Sequence, residues 1–422
     1  MTHAKPRIIA IGFDVHGTGL TRVVREILFP LGDAYDIHFL AIGYKGASYE
    51  DRGVTVYPTN LMGGDVFAAF QAREMIEALR PDIVFALHDL SLLDLYTKVF
   101  APVRMHTCFI AYIPLDGAII NHEFTAALSG FDHAVSYTDW ARNQLRSALD
   151  KLEMTEPGRK RPHLDVMFHG VDHERFHPSA ELTAVDFHHS GRAALKRRLF
   201  PDLEDPEHTF IVLNANRPVF RKRLDLTLEG FALFAAGKPA NVKLCLHQAH
   251  VDELTPHLLE LASKHGLESR LLYNPLNPDG GAIPDEELNQ LYGACDVGLN
   301  TSAGEGWGLV SFEHAATGGA QIVPLSTACT SLWTEQTALR IIPVDFAETP
   351  MSELELAYVD PVDVAAALER LYRDREHARI LAKSGYEHVM HSQFQWSTIS
   401  GQWRELFGTA VSRFRAETRV SE

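Results

Sequence analysis

Short apolar runs alternate with longer amphipathic segments along almost the whole chain. In the first half, the apolar runs predict strands at Arg7–Phe13, Asp36–Ala41, Val54–Tyr57, Asp82–Ala86, Thr107–Ile113, His133–Ser136 and Leu164–Phe168. Segments with helical periodicity lie between them, for example at Leu20–Leu31, Phe67–Ala78 and Thr138–Leu149. Strands that alternate with helices at this spacing indicate βαβ units and a parallel sheet.

The second half repeats the alternation. Its apolar runs predict strands at Phe210–Asn214, Val242–His247, Arg270–Tyr273, Val297–Asn300, Gln321–Pro324 and Leu339–Ile342. Helical patterns occupy Arg223–Ala236, Val251–His265, Asp285–Ala294, Val310–Thr317, Pro361–Arg373, Glu376–His388 and, at the end of the chain, Trp396–Arg415. The predicted strands Phe210–Asn214 and Val242–His247 are apolar on both faces, as buried parallel strands require. A second parallel sheet covered by helices is therefore expected.

Two polar, weakly patterned stretches separate the halves, at Thr155–Pro162 and Pro178–Gly191. We predict an α/β protein of two doubly wound, Rossmann-like domains that face each other across a cleft. The first covers residues 1–168 and is completed by a C-terminal helix in 391–422, and the second covers 169–390. Ligands of such sheets bind at the carboxyl ends of the strands.

The composition narrows the class of protein. Hydrophobic residues make up 46% and charged residues 22% of the 422 positions, which is ordinary for a globular chain. A net charge of −16 gives no general attraction to nucleic acid or to anionic lipid. No apolar run is long enough for a signal peptide or a membrane span, so a cytoplasmic protein is expected. The cysteines, without paired spacing, predict free thiols and no metal site; they are Cys108, Cys245, Cys295 and Cys329.

A glycine-containing loop follows the first predicted strand and precedes a helix. It includes Gly17 and Gly19. Glycines let the backbone approach a ligand closely, and a helix N-terminus offers free N–H groups to an anion. The alternative, a tight strand-to-helix turn without a ligand, stays open.

A basic loop follows the strand Phe210–Asn214. Within it, four cations fall in seven residues, from Arg217 to Arg223, and Lys222 is among them. A diphosphate can be held by a guanidinium that makes two contacts and by an ammonium that acts as a point charge. The alternative is a solvated basic turn.

The sharpest pattern runs from Glu305 to Glu313 and follows the strand Val297–Asn300. Glu305 lies in a glycine loop, and Glu313 lies about one turn into the next helix. Two carboxylates can accept hydrogen bonds from sugar hydroxyls, while loop amides receive phosphate between them. The pair Gly318-Gly319 predicts the end of the helix. A glycine-rich turn followed by a surface glutamate is the alternative.

Together, these segments resemble retaining glycosyltransferase family 4, a GT-B enzyme group within the group 1 glycosyl transferases. Glu305 and Glu313 match the family's Glu-x7-Glu motif, and Arg217 and Lys222 match its Arg followed five residues later by Lys. The glycine loop after the first strand matches as well. The segment Phe168–Pro178 is similar to the family's Asn-Gly-Val-Asp…Phe-x-Pro sequence, so the resemblance spans most of the chain.

The resemblance implies catalytic roles for several residues. Arg217 and Lys222 would neutralise the donor diphosphate, and Glu305 would contact hydroxyls of the donor sugar. Many family members place a histidine after the fifth N-terminal strand, whereas this chain has Asp116 there. Asp116 would bind the sugar or orient the acceptor; the alternative is an Asp-Gly turn.

The resemblance also implies donor-binding positions. Glu313 would bind the ribose, backbone amides of the Gly308–Val310 segment would hold phosphate, and the two loop glycines would approach the donor. The donor-binding residues predicted in this way are Gly17, Gly19, Asn216, Gly308, Leu309, Val310 and Glu313, with Tyr273 and Asn274 as candidates for the nucleotide base. The family's usual Pro after the helix-ending glycine is absent, which leaves sugar and acceptor specificity open.

The implied reaction is metal-independent transfer, with retention, from a UDP- or GDP-sugar to an unidentified acceptor hydroxyl, and no cofactor is required. The acceptor class stays open among glycans, lipid-linked precursors, small molecules, proteins and DNA, although no stable nucleic-acid partner is expected. Two alternatives remain: a GT-B nucleotide-sugar epimerase or hydrolase, and a non-catalytic sugar-nucleotide-binding protein.

Overall fold

The computed structural model describes residues 5–60, 62–247, 255–273, 282–350 and 353–421. The chain divides into two compact units. The first comprises Met1–Gly170, Pro350–Leu354 and Trp396–Glu422, and the second comprises Val171–Thr349 and Glu355–Gln395. The division falls two residues after the predicted boundary. Pro350–Leu354 falls in the first unit, and residues 391–395, predicted with the first domain, fall in the second unit.

The first unit is built on a mainly parallel sheet. Its strands are β1 (Arg7–Phe13), β2 (Asp36–Ile42), β3 (Tyr49–Asp51), β4 (Val54–Pro58), β5 (Ile83–Leu87), β6 (Cys108–Ile113), β7 (Ala118–Ile119), β8 (His133–Ser136) and β9 (His163–Val166). Its helices begin with α1 (Gly19–Leu28), α2 (Ala69–Leu79), α3 (Leu90–Phe100) and α4 (Asp139–Thr155). The sheet order is β3-β4-β2-β1-β5-β6-β8-β9, and only the β3–β4 pair is antiparallel among the paired strands. The order reverses between β1 and β5, which makes that pair a topological switch point.

The second unit contains an all-parallel sheet. The remaining strands are β10 (Phe210–Asn214), β11 (Val242–Leu246), β12 (Leu271–Tyr273), β13 (Val297–Leu299), β14 (Ala320–Pro324), β15 (Leu339–Ile341), β16 (Asp345–Glu348) and β17 (Leu354–Tyr358). The helices are α5 (Ala180–Ala184), α6 (Ala193–Leu199), α7 (Leu224–Ala235), α8 (Thr255–Lys264), α9 (Asp285–Ala294), α10 (Leu309–Ala316), α11 (Thr327–Leu332), α12 (Pro361–Arg373) and α13 (Arg375–Val389). The sheet order is β12-β11-β10-β13-β14-β15, so its switch point lies between β10 and β13.

The last helix, α14 (Trp396–Ser421), packs on the first unit. Trp403 and Phe407 contact Phe85 of β5 edge-to-face, with ring centroids 5.2 and 5.8 Å apart, and Phe407 also meets Tyr35. This aromatic cluster explains why the C-terminal segment joins the N-terminal sheet, because the helix buries its apolar face there.

Each strand predicted from an apolar run is present, within about two residues at either end. The elements that were not predicted are short and carry no clear periodicity; they are β3, β7, β16, β17, α5, α6 and α11. In α10 the predicted helix end is confirmed in detail: Gly318 adopts φ +84°, its N–H donates to Ala315 O at 2.9 Å, and Gly319 N–H donates to His314 O at 3.0 Å. These two bonds form a Schellman cap, which requires a left-handed residue at that position.

Candidate active site

The predicted basic loop and glycine loop of the second unit meet at its switch point. The basic loop follows β10 and the glycine loop follows β13, which are neighbours in the sheet. Lys222 Nζ lies 2.5 Å from Glu305 Oε1, although the two residues are 83 positions apart. The structure therefore places two of the four predicted catalytic residues in direct contact.

Buried and half-buried hydrogen bonds fix the two loops to each other. Arg221 donates to Gly304 O at 2.6 Å and accepts from Ala303 N–H at 2.8 Å. Thr301 Oγ1 donates to Arg223 O at 2.8 Å and contacts Thr227 Oγ1 at 2.7 Å. Because these contacts tie each loop to the backbone of the other, the loops form one scaffold beneath the Lys222–Glu305 pair.

The Glu305 carboxylate is buried, with 4% of the residue exposed. Burial acts to raise the pKa of Glu305, but the charges of Lys222 and Arg221 and the hydrogen bonds from Lys222 and Asn300 outweigh it and hold that pKa below its usual range. Asn300 Nδ2 donates to Oε1 at 3.2 Å, and Arg221 Nη1 lies 3.8 Å from Oε2. The carboxylate is therefore ionised at neutral pH and can accept hydrogen bonds.

Arg217 and Asn216 lie in the same basic loop. Arg217 is exposed, whereas Asn216 is buried and donates from both its backbone N and its Nδ2 to Asn214 Oδ1 at 3.0 Å. Lys222 has three N–H donors, and Glu305 accepts from its Nζ. The loop thus presents guanidinium and ammonium groups on a firmly held backbone, an arrangement suited to a diphosphate.

Helix α10 supplies the remaining predicted donor-binding positions of this unit. Gly308 precedes the helix in the left-handed region, with φ +94°, and Leu309 and Val310 are its first two residues. The first N–H groups of a helix have no partner within it, and they carry the positive end of the helix dipole. Glu313 is 5% exposed and lies in the second turn of α10, as predicted.

Replacing Gly308 by alanine is expected to destabilise the protein by about 1–2 kcal/mol, because an L-residue is strained in a left-handed conformation. Space is not limiting, since a Cβ there would lie 4.0 Å from its nearest neighbours. Gly401 in α14 is a matched control: it is an exposed helical glycine with nothing near a Cβ, so Gly401→Ala should stabilise by about 0.5–1 kcal/mol. Urea unfolding of the two variants measures both signs, and equal effects would contradict the assigned conformation.

The three predicted site residues of the first unit lie at the carboxyl ends of its strands. Gly17, with φ +77°, follows β1, and Gly19 begins α1, which Thr18 caps by accepting from Thr21 N–H. Asp116 follows β6 and is half-buried. Burial raises the pKa of Tyr137, which follows β8, and the charges of Asp89 and Asp116 raise it further.

His88 is a polar residue at this edge that the sequence analysis missed. It follows β5, next to β1 at the switch point, and is 2% exposed. Its Nδ1 accepts from Asp89 N–H at 3.0 Å, which leaves the proton on Nε2, and burial lowers the pKa of His88 to about 4. Nε2 has no hydrogen-bond partner within the described part of the chain. The sequence signal that could have identified His88 was its position just after the predicted strand Asp82–Ala86.

The two residues predicted to bind the nucleotide base are Tyr273 and Asn274. Tyr273 ends β12 at the edge of the second sheet, two strands away from β10, and Asn274 lies outside the described residues.

Across the described ranges, the structure holds no group of three or more metal-ligating side chains. No helix within those ranges is long and apolar enough to cross a bilayer. All four cysteines are free and buried, as predicted.

Comparison with known proteins gave sequence relatives but no matching protein-family model. The chain is 26% identical over 173 residues to mannosylfructose-phosphate synthase of Agrobacterium fabrum, covering 40% of this chain and 34% of that protein. It is 28% identical over 265 residues to D-inositol 3-phosphate glycosyltransferase of Salinispora tropica, covering 61% of this chain and 48% of that protein. The chain thus matches less than half the length of either relative.

Solved structures match nearly the whole chain. Sucrose-phosphate synthase from Thermosynechococcus elongatus has a TM-score of 0.70 at 16% identity, covering 97% of this chain and 100% of that chain. Anabaena HepE in complex with UDP and glucose has a TM-score of 0.69 at 15% identity, covering 96% of this chain and 100% of that chain. The chain therefore has the predicted GT-B fold of these structures, and it is similar in sequence to two named glycosyl-transferring enzymes.

Proposed function

We propose that this protein is a retaining glycosyltransferase that moves a sugar from a nucleotide-sugar, most simply a UDP-sugar, to an acceptor hydroxyl. The observation that carries the proposal is the contact between Lys222 and Glu305, because it joins a phosphate-binding motif to a sugar-binding motif at a switch point. HepE, of the same fold, was solved with UDP-glucose, and this supports a UDP-sugar donor.

In the proposed donor complex, Arg217 and Lys222 face the diphosphate and the N-terminus of α10 adds a positive dipole. Glu313 accepts hydrogen bonds from the ribose, and Glu305 accepts them from the sugar. The cations and the dipole balance the diphosphate charge, so we propose transfer that requires no metal; activity unaffected by EDTA is the expected result. Catalysis then consists mainly of positioning and of stabilising the leaving group.

Transfer breaks the bond between the anomeric carbon and the phosphate oxygen and forms a bond from that carbon to the acceptor oxygen on the same face of the sugar. The acceptor proton passes to the leaving phosphate oxygen, so no separate base is needed. Both sequence relatives are named for phosphorylated compounds, which favours a small phosphorylated sugar or polyol as acceptor. We further propose a cytoplasmic location, where four free thiols stay reduced.

The proposal predicts that one donor is selected from a panel of UDP-, GDP- and ADP-sugars, scored by release of free nucleotide with and without phosphorylated polyols. Glu313→Gln should lower kcat/KM by about 10- to 100-fold, the scale of one lost hydrogen bond to a charged group. The control Glu260→Gln alters an exposed residue of α8 and should match wild type.

Each other outcome identifies an alternative. Donor consumption that no acceptor accelerates would favour a hydrolase or an epimerase. Tight nucleotide-sugar binding without turnover would favour a non-catalytic binding protein. An inverted anomer in the product, read by NMR coupling constants, would refute retention.

A further inference from the structure

The backbone of Glu305 is held on both sides by the start of α11. Its N–H donates to Thr327 Oγ1 at 3.0 Å, and its carbonyl accepts from Ala328 N–H at 3.2 Å. Thr327 and Glu305 are both buried, at 5% and 4% exposure. Since α11 follows β14, the neighbour of β13, a third loop thus reaches the same switch point.

Thr327 has an unusual backbone conformation for its residue type. Its φ is +45°, in the left-handed region, where a β-branched side chain is strained. Strained residues persist where the surroundings over-determine them, and they concentrate at functional sites. Glycine would meet the same backbone without strain, but it would lack the hydroxyl that Glu305 N–H contacts. The strain and the hydrogen bond together indicate that the hydroxyl matters at this position.

The contacts of the carboxylate show what this restraint achieves. Oε1 is engaged by Lys222 at 2.5 Å and by Asn300 at 3.2 Å. Arg221 Nη1 lies 3.8 Å from Oε2, beyond hydrogen-bond length. A backbone held at both peptide groups and an Oε1 held by two donors leave Oε2 as the oxygen that can accept from a ligand.

We infer that Thr327 is a positioning residue: its hydroxyl fixes the Glu305 peptide so that Oε2 faces a hydroxyl of the donor sugar. This inference rests on the proposed function, because it concerns the contact between Glu305 and the sugar. Thr327 itself touches no reacting atom. Sites loosened by a fraction of an ångström lose much of their activity, so the hydroxyl is expected to affect turnover more than folding.

Three substitutions separate the hydroxyl from the backbone strain. Thr327→Val keeps the shape and removes the hydroxyl, Thr327→Ser keeps the hydroxyl, and Thr327→Gly removes both the hydroxyl and the strain. With the donor selected by the release assay, Thr327→Val and Thr327→Gly should each lower kcat/KM about tenfold, while Thr327→Ser stays within twofold of wild type. Nucleoside diphosphate alone should bind all variants equally, because it lacks the sugar. Hydrogen exchange at the Glu305 amide should be faster in Thr327→Val than in Thr327→Ser.

The outcomes distinguish this inference from the proposed function. Glu305→Gln serves as the reference for loss of the sugar contact. If it abolishes turnover while Thr327→Val retains it, the positioning role is overturned and the function stands. Equal weakening of nucleoside diphosphate and nucleotide-sugar by Thr327→Val would also overturn it, because that pattern marks a general distortion. A wild-type protein that turns over no donor overturns the proposed function, and the positioning role with it.

Discussion

Replacing Lys222 by methionine is expected to destabilise the protein by about 3–5 kcal/mol and also to lower kcat by about 100- to 1,000-fold. The destabilisation follows from the structure: Lys222 Nζ lies 2.5 Å from the buried Glu305 carboxylate, and its removal leaves that charge without its main partner. The catalytic loss follows from the proposed function, in which the ammonium also stabilises the leaving diphosphate. Urea unfolding and steady-state kinetics measure the two effects separately.

A double variant separates these two roles of Lys222. Combining Lys222→Met with Glu305→Gln removes both charges, so most of the lost stability should return, because a buried pair replaced as a whole is nearly neutral. Activity should stay low. The control Lys264→Met alters an exposed lysine of α8 and should change neither quantity. Full activity in the double variant would refute both the contact of Lys222 with the diphosphate and the contact of Glu305 with the sugar.

Replacing Asp296 by alanine is expected to cost about 3–5 kcal/mol of stability, because it strands two buried cations. Lys196 Nζ lies 2.8 Å from Asp296 Oδ2, and Arg192 Nε lies 4.0 Å from Oδ1; these two cations are 0% and 2% exposed. The same Oδ2 accepts from Ile211 N–H at 2.8 Å. The cluster therefore ties α6 to the beginning of β10 beneath the candidate site.

The Asp296 cluster also supports the helix that carries Glu313. Arg192 donates to Gly318 O at 2.5 Å, at the cap that ends α10, and to Gly293 O at 2.7 Å near the end of α9. Cations are favourable at helix C-termini. Loss of Asp296 is thus expected to loosen the end of α10 as well as to lower global stability.

Asp150→Ala is the matched control for Asp296→Ala, because Asp150 pairs with Arg161 on the surface, at 59% exposure, and such pairs contribute about 0–1 kcal/mol. Burial acts to raise the pKa of Asp296, but Lys196 and Arg192 outweigh it and hold that pKa below the usual aspartate range. A depressed pKa stabilises the fold above the unfolded-state value, about pH 3.9, and this contribution is lost as the pH falls below it. Urea unfolding at pH 7 should therefore separate the two variants widely, and equal costs would contradict a buried cluster.

The sequence by itself determined the elements of this protein and the chemical types of its site. Buried parallel strands are continuous apolar runs, so β1, β8 and β10 could be located to the residue. The end of α10 could be predicted because only glycine meets a left-handed cap without strain. The Glu-x7-Glu spacing placed Glu305 in a loop and Glu313 on a helix. All of these are local properties, which depend on neighbours a few positions away along the chain.

Only the tertiary structure decided which of these groups meet. The Lys222–Glu305 contact joins positions 83 residues apart, and the Lys196–Asp296 contact joins positions 100 apart. Neither follows from a local pattern: the first depends on β10 and β13 being neighbours in the sheet, and the second on α6 lying at the beginning of β13. The role of Thr327 could not be predicted for a further reason. A threonine in the left-handed region contradicts its own local preference, and only the surrounding packing holds it there.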